Sequence, residues 1–190
     1  MNSITYNKLS DDVINQIKDF TYYNLTGEQK SLIDELIPNE ELRERYKKNG
    51  LCKECNQPNT GKNKYNNCPW CQSCNSKHFQ NDFNKWTSGN KEIDEFIQKF
   101  QLNATCQEEV LEWIPYEKFS NVEYLAKGGF GTVHKAEWID GYIEDWDIIQ
   151  NKWGRLANFD VVLKSLNNSQ NITTDFLQEV CILLFIILYL

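Results

Sequence analysis

The chain has 190 residues, a formal net charge of −7 and an aromatic content of 13%. This length predicts one or two domains with small hydrophobic cores, and the acidic balance argues against a general nucleic-acid binder. Seven cysteines, five of them between Cys52 and Cys74, indicate a metal site in a reducing compartment rather than a disulfide framework. The polar N-terminus lacks a signal-peptide pattern, so we expect a cytoplasmic, intracellular protein.

Residues 1–50 predict a helical leader made of three short helices. Ser10 is the expected cap of the first helix, for which a poorly ordered leader is the alternative. The second helix is expected to end at Pro38. Asn39 is the expected N-cap of the third helix, which Gly50 closes.

Residues 51–80 form a cysteine-rich segment that predicts a zinc-ribbon-like module. Its Cys-x-x-Cys pairs are typical of two knuckles that present four thiolates to Zn²⁺, and a closed site of this kind has a structural role. Which four cysteines bind stays open on spacing alone, and we expect His78 to be a surface histidine rather than a ligand. The cysteines of the segment are Cys52, Cys55, Cys68, Cys71 and Cys74.

Two amphipathic patterns predict a helical connector over residues 81–110. Phe79, Phe83 and Trp86 recur at helical spacing, which predicts a helix that packs on the zinc module. Residues 91–102 repeat the pattern and predict a second helix. Both apolar stripes are interpreted as core.

Residues 125–133 read Leu-Ala-Lys-Gly-Gly-Phe-Gly-Thr-Val, between two strand-like runs. This pattern predicts a hairpin whose glycines let backbone amides approach an anion, although a plain hairpin turn is the alternative. Residues 140–160 are expected to form a tucked turn or a short helix. An apolar strand then ends in Lys164, and Glu179 follows in a capped helical segment. Glycine loop, lysine and glutamate together form a phosphate-binding arrangement.

In this order, the three features resemble the N-terminal lobe of protein kinases. The surrounding sequence is similar to an expanded fungal family of tyrosine-kinase-like Ser/Thr kinases with a cysteine-rich preamble. The resemblance implies a partial N-lobe over residues 111–179, an antiparallel sheet plus the αC helix. The family's first loop glycine is Ala126 here, and Val162 replaces a smaller residue.

The resemblance also implies ATP as cofactor, bound as Mg-ATP in complete relatives. Lys164 and Glu179 would be the catalytic pair, with Glu179 orienting Lys164. The family's second knuckle matches Trp70 to Ser76 and favours Cys71 as a ligand, with Cys68 as the spare cysteine. The implied zinc ligands are Cys52, Cys55, Cys71 and Cys74. The implied nucleotide-binding residues are Ala126, Lys127, Gly128, Gly129, Phe130, Gly131, Val133, Val162 and Lys164.

Nothing after Glu179 resembles the family's catalytic loop or its metal-binding Asp-Phe-Gly motif. Residues 180–190 form an apolar tail, which is too short to span a bilayer and is interpreted as an early stop or a misread exon end. A tail-anchored membrane protein is a minor alternative.

We therefore expect an α+β protein that combines a helical N-terminal part, a zinc module and an incomplete kinase N-lobe. It is expected to bind ATP weakly and to be inactive in phosphotransfer. The alternative is a zinc-ribbon protein-interaction module with a passive, pseudokinase-like remnant. Expected partners are ATP and proteins recruited by the zinc module, with neither nucleic acid nor membrane.

Overall fold

A computed structural model describes residues 8–62, 69–129 and 131–166, and in these residues helices precede a mainly antiparallel β region. The mixed helix and strand composition agrees with the predicted α+β class. The helices are α1 Asp11–Ile17, α2 Gly27–Leu36, α3 Glu40–Asn49, α4 Gln72–Asp82 and α5 Lys91–Asn103. The strands are β1 Gly61–Lys62, β2 Pro69–Trp70, β3 Phe119–Gly128, β4 Gly131–Trp138, β5 Tyr142–Asp147, β6 Lys152–Leu156 and β7 Phe159–Leu166.

The N-terminal helices start and end where their capping residues predict. The Ser10 side chain accepts a hydrogen bond from the amide of Val13, and Asn39 does the same for Leu42. Gly50 ends α3 with a φ of 68°, in the left-handed region that favours glycine. The three helices share one hydrophobic core, so α1 is an ordered, packed helix and not the poorly ordered leader that was the alternative. Its buried members are Leu9, Ile14, Ile17, Ile33, Ile37, Leu42 and Tyr46.

Buried amide groups join α3 to the cysteine-rich segment. The Asn59 side chain donates to the carbonyl of Asn49 at 3.0 Å, and Asn49 donates back to the carbonyl of Asn59 at 3.3 Å. The Gln57 side chain accepts from the amide of Leu9 at 2.7 Å and donates to its carbonyl at 3.1 Å. Because buried polar groups need partners, these reciprocal pairs fix the helical leader against the first knuckle.

Helix α4 differs from the prediction in its bounds. It begins at Gln72 inside the cysteine-rich segment and ends at Asp82, so Trp86 does not belong to its apolar stripe. Phe79 and Phe83 nevertheless pack around the buried ring of Trp70, as expected. Helix α5 confirms the second predicted helix. No helix in the described ranges is long and apolar enough to cross a bilayer.

Strands β3, β4 and β7 form an antiparallel sheet in the order β3-β4-β7. The predicted glycine hairpin and the predicted third strand are both present. Ala136 and Trp138 are buried on one face of the sheet, whereas Lys135, one residue away, is exposed on the other. The sheet therefore has a packed face and an open face.

The predicted β-turn is present at residues 148–151, whereas the alternative of a short helix within residues 140–160 is wrong. Strands β5 and β6 pair there as an antiparallel hairpin, here called the inserted hairpin (Tyr142–Leu156). Its turn is set by Asp147, whose side chain accepts hydrogen bonds from the amides of Ile149 and Gln150, both at 2.9 Å. This Asx turn reverses the chain at the point where the spacing of the apolar residues suggested a short helix.

The base of the inserted hairpin is fixed by a half-buried ion pair between Glu112 and Arg155. Glu112 also accepts a hydrogen bond from the amide of Ile143 at 3.4 Å, and the Arg155 guanidinium lies 5.5 Å from the ring centre of Trp138. Burial raises the pKa of Glu112 to about 7, although the charge of Arg155 opposes this shift. The inserted hairpin thus packs against the Trp138 end of one face of the sheet.

A glycine at the start of the inserted hairpin generates the first prediction. Gly141 has a φ of 64°, and a Cβ there would lie 1.6 Å from the carbonyl oxygen of Leu156. We expect Gly141→Ala to lower the free energy of unfolding by more than about 2 kcal/mol, measured by urea denaturation. The matched control is Gly27→Ala, because a Cβ at this first position of α2 meets open space. It should leave stability unchanged or raise it by up to about 1 kcal/mol. Equal losses in both variants would contradict the prediction.

Candidate metal centre and nucleotide-binding face

Four cysteine sulfurs converge between the two knuckles. All four Sγ atoms lie within 4.8 Å of one another, with Cys52 and Cys74 3.9 Å apart and Cys55 and Cys71 3.7 Å apart. A tetrahedron with Zn–S bonds of about 2.3 Å has an edge of about 3.8 Å. The cluster could therefore hold a metal ion such as zinc.

The first knuckle is a tight turn that aims two sulfurs at the same point. The amide of Asn56 donates to the carbonyl of Cys52 at 2.9 Å, and the positive φ of Asn56 reverses the chain after Cys55. The amide of Glu54 points at the Cys52 sulfur at 3.4 Å. Such N–H groups stabilise a thiolate, which is the form of cysteine that binds metal.

The second knuckle is built into the start of a helix. Cys71 is the N-cap of α4, and Cys74 lies in the first turn. The positive end of the helix dipole favours thiolates at both positions. Thr60 holds the two knuckles together, because its hydroxyl accepts from the amide of Gln72 at 2.9 Å and donates to the carbonyl of Trp70 at 2.9 Å.

The four thiols perturb one another strongly. Hydrogen bonds from Cys52 and Cys71 lower the pKa of Cys55 to about 2. Interaction with Cys52 raises the pKa of Cys71, and burial raises the pKa of Cys74. A divalent cation bound by the four sulfurs would compensate the charge of their thiolates.

His78 is not one of the converging ligands, and it is not the surface residue that was expected. Its side chain is only 12% exposed, with Nε2 2.8 Å from a carboxylate oxygen of Glu54. It therefore supports the first knuckle from outside. Cys68, the predicted spare cysteine, lies outside the described residues. Cys106 is not part of the cluster, and burial raises its pKa to about 11.

The sheet register brings several of the proposed nucleotide-binding residues together. Val133 of β4 lies directly opposite Lys164 of β7 on one side and opposite Ala126 of β3 on the other. Val162 lies opposite Lys135, two residues along β4, and so on the same face. Ala126, Val162 and Lys164 are all exposed. This is the open face of the sheet, away from the inserted hairpin.

The glycine turn closes the β3–β4 hairpin through the pair Gly128 and Gly131. Among the described residues, a Cβ at Gly128 would meet no atom within 4 Å, so the turn leaves space beside this glycine. Lys127 pairs with Thr132, and its side chain therefore belongs to the opposite face from Lys164. Phe130 and Glu179 lie outside the described residues, and the pairing of Glu179 with Lys164 stays a prediction.

Comparison of the chain with models of protein families, with curated proteins and with solved structures finds no match. The argument for function therefore depends on the two sites themselves.

Sequence reasoning missed two aromatic side chains that lie beside the metal centre. Trp146 and Trp153 of the inserted hairpin pack on His78 and Phe79 of α4. The available signal was the presence of two tryptophans in one connection between strands, because such large aromatic side chains indicate that the segment packs on the protein.

The second prediction concerns metal stoichiometry. We expect the purified chain to retain about one Zn²⁺, because four thiolates at tetrahedral spacing bind it tightly. Cys71→Ser should abolish most of this content after dialysis, as measured by elemental analysis. Cys106→Ser is the matched control and should retain the metal, since Cys106 lies outside the cluster. Equal zinc content in both variants would contradict the assignment.

Proposed function

We propose that the β3-β4-β7 sheet is the ATP-binding part of a protein kinase N-lobe, and that a structural zinc centre supports it. The observation that carries this proposal is the row formed by Ala126, Val133 and Lys164 across three strands. The row combines two small apolar side chains with one ammonium group. A nucleotide needs both features, an apolar surface for its base and a positive charge for its phosphates.

The glycine turn supports the phosphate half of the proposal. Among the described residues, no atom lies within 4 Å of where a Cβ of Gly128 would be, so a phosphate can approach the backbone closely there. Amide N–H groups in such a turn form a concave site for anions. The Lys164 ammonium on the same sheet would neutralise charge on the α- and β-phosphates. Mg²⁺, when bound with the nucleotide, would supply further positive charge to the phosphates.

The apolar residues support the base half. Val133 and Val162 lie on the same face as Lys164, and Ala126 completes a small hydrophobic surface. This surface is open, which agrees with the expectation of weak ATP binding. By resemblance, phosphoryl transfer to a protein hydroxyl belongs to the complete kinase domain, and Glu179 would hold Lys164 in position.

For the metal, we propose Zn²⁺ in a structural role. Four thiolates fill a tetrahedron and leave no position for a reactive water molecule. The alternative, in which the zinc module recruits a protein partner, has less support because the inserted hairpin already covers the aromatic side of α4.

The third prediction tests nucleotide binding by titrating the full chain with ATP and following the ligand by saturation-transfer NMR. We expect Lys164→Met to weaken ATP binding about fivefold to tenfold, because it removes a phosphate contact in a site that water partly screens. The matched control is Lys135→Met, also on the open face but paired with Asp160 at 2.9 Å. It should change the affinity less than about twofold. If both variants bind ATP like the parent chain, the proposal fails.

A further inference from the structure

The inserted hairpin packs directly on the helix that carries half of the metal centre. The ring of Trp153 stacks on Phe79 with 4.3 Å between ring centres, and it lies 6.1 Å from the ring of Trp70. Phe79 and Trp70 are both buried, and Trp70 immediately precedes Cys71. The hairpin therefore contributes to the same small core that positions the second knuckle.

A second contact reaches the first knuckle. The ring of Trp146 stacks on His78 with 3.7 Å between ring centres and 8° between the ring planes. On its other side, His78 bonds to Glu54, which lies between Cys52 and Cys55 in the chain. Through Trp146 and Trp153, the hairpin thus touches both halves of the metal centre.

The inserted hairpin also forms a wall of the metal centre. A cavity of about 100 Å³ lies beside the cysteine cluster. Cys52, Cys71 and Cys74 line one side of it, and Asp145, Trp146 and Ile148 of the hairpin line another. Any movement of the hairpin away from α4 would open this side of the cluster to water.

The connections of the hairpin lead straight into the sheet. Three residues separate it from β4, and two residues separate it from β7. Those strands carry Val133 and Lys164 respectively. The hairpin is therefore joined covalently to two strands of the sheet and contacts the helix of the metal centre through its side chains.

We propose that the metal centre and the inserted hairpin are coupled, so that bound Zn²⁺ holds the hairpin on α4 and the docked hairpin raises the affinity for Zn²⁺. Zinc loss releases the hairpin from α4 and loosens its connections to β4 and β7. Thermodynamic linkage requires the coupling to act equally in both directions. This inference rests on the proposed zinc site and is independent of nucleotide binding.

The first test measures zinc affinity in the full chain by competition with a chromophoric chelator. We expect Trp153→Ala to weaken zinc binding about fivefold to tenfold, because the aromatic contacts that favour the zinc-bound arrangement are lost. The matched control is Ile149→Ala on the same hairpin, where the side chain is 96% exposed. The control should bind zinc like the parent chain.

Trp146→Ala is a second variant in case Trp153→Ala fails to fold. It removes only the ring that stacks on His78, and it should also weaken zinc binding, by about threefold. If the folded tryptophan variants bind zinc as tightly as the Ile149→Ala control, the proposal is overturned.

The second test measures the coupling from the zinc side by hydrogen–deuterium exchange before and after chelation. We expect faster amide exchange in residues 142–156 after zinc removal, whereas α1 to α3 keep their protection because their core is separate. Unchanged exchange in the inserted hairpin would overturn the proposal, as would loss of protection across the whole chain. Neither readout uses ATP, so failure here is distinct from failure of the proposed function.

Discussion

The convergence of four cysteine sulfurs is the constraint on which the rest of the structure depends. Thiols packed at 3.7–3.9 Å cannot all ionise without a compensating charge, which a divalent cation at their centre would supply. Each knuckle in turn fixes a neighbouring element. The first knuckle binds the helical leader through the buried Asn59, and the second sets the start of α4 at Cys71. The cysteine-rich segment, which has few apolar residues, is thereby held in one conformation.

The inserted hairpin extends this geometry to the sheet. Its tryptophans pack on α4, while Arg155 packs over Trp138 and pairs with Glu112. The hairpin thereby packs against the Trp138 end of one face of the β3-β4-β7 sheet, and the opposite face is open. Lys164 lies on that open face, as a local positive charge in a chain whose net charge is −7. The inserted hairpin, which contacts the candidate metal centre, and the proposed nucleotide-binding residues therefore lie on opposite faces of one sheet.

Local signals in the sequence predicted most of the elements correctly. Caps at Ser10 and Asn39 and the stop at Gly50 act through bonds within one or two turns, so the sequence specifies them without long-range packing. The Cys-x-x-Cys spacing predicted a metal cluster, because each short turn brings its own two sulfurs to one side. The choice of four from five cysteines came from the kinase resemblance rather than from spacing, and Cys71 and Cys74 indeed lie in the cluster.

The sequence by itself determined the helices, the glycine hairpin, the third strand and the cysteine pairs, because each depends on neighbours a few residues away. Tertiary structure alone decided three things. It placed His78 between Glu54 and Trp146, it made a hairpin of residues 142–156, and it gave the sheet one packed and one open face. These outcomes depend on contacts between segments far apart in the chain. Such contacts form when many apolar side chains from distant segments are buried and close-packed together. A local sequence pattern does not contain this information.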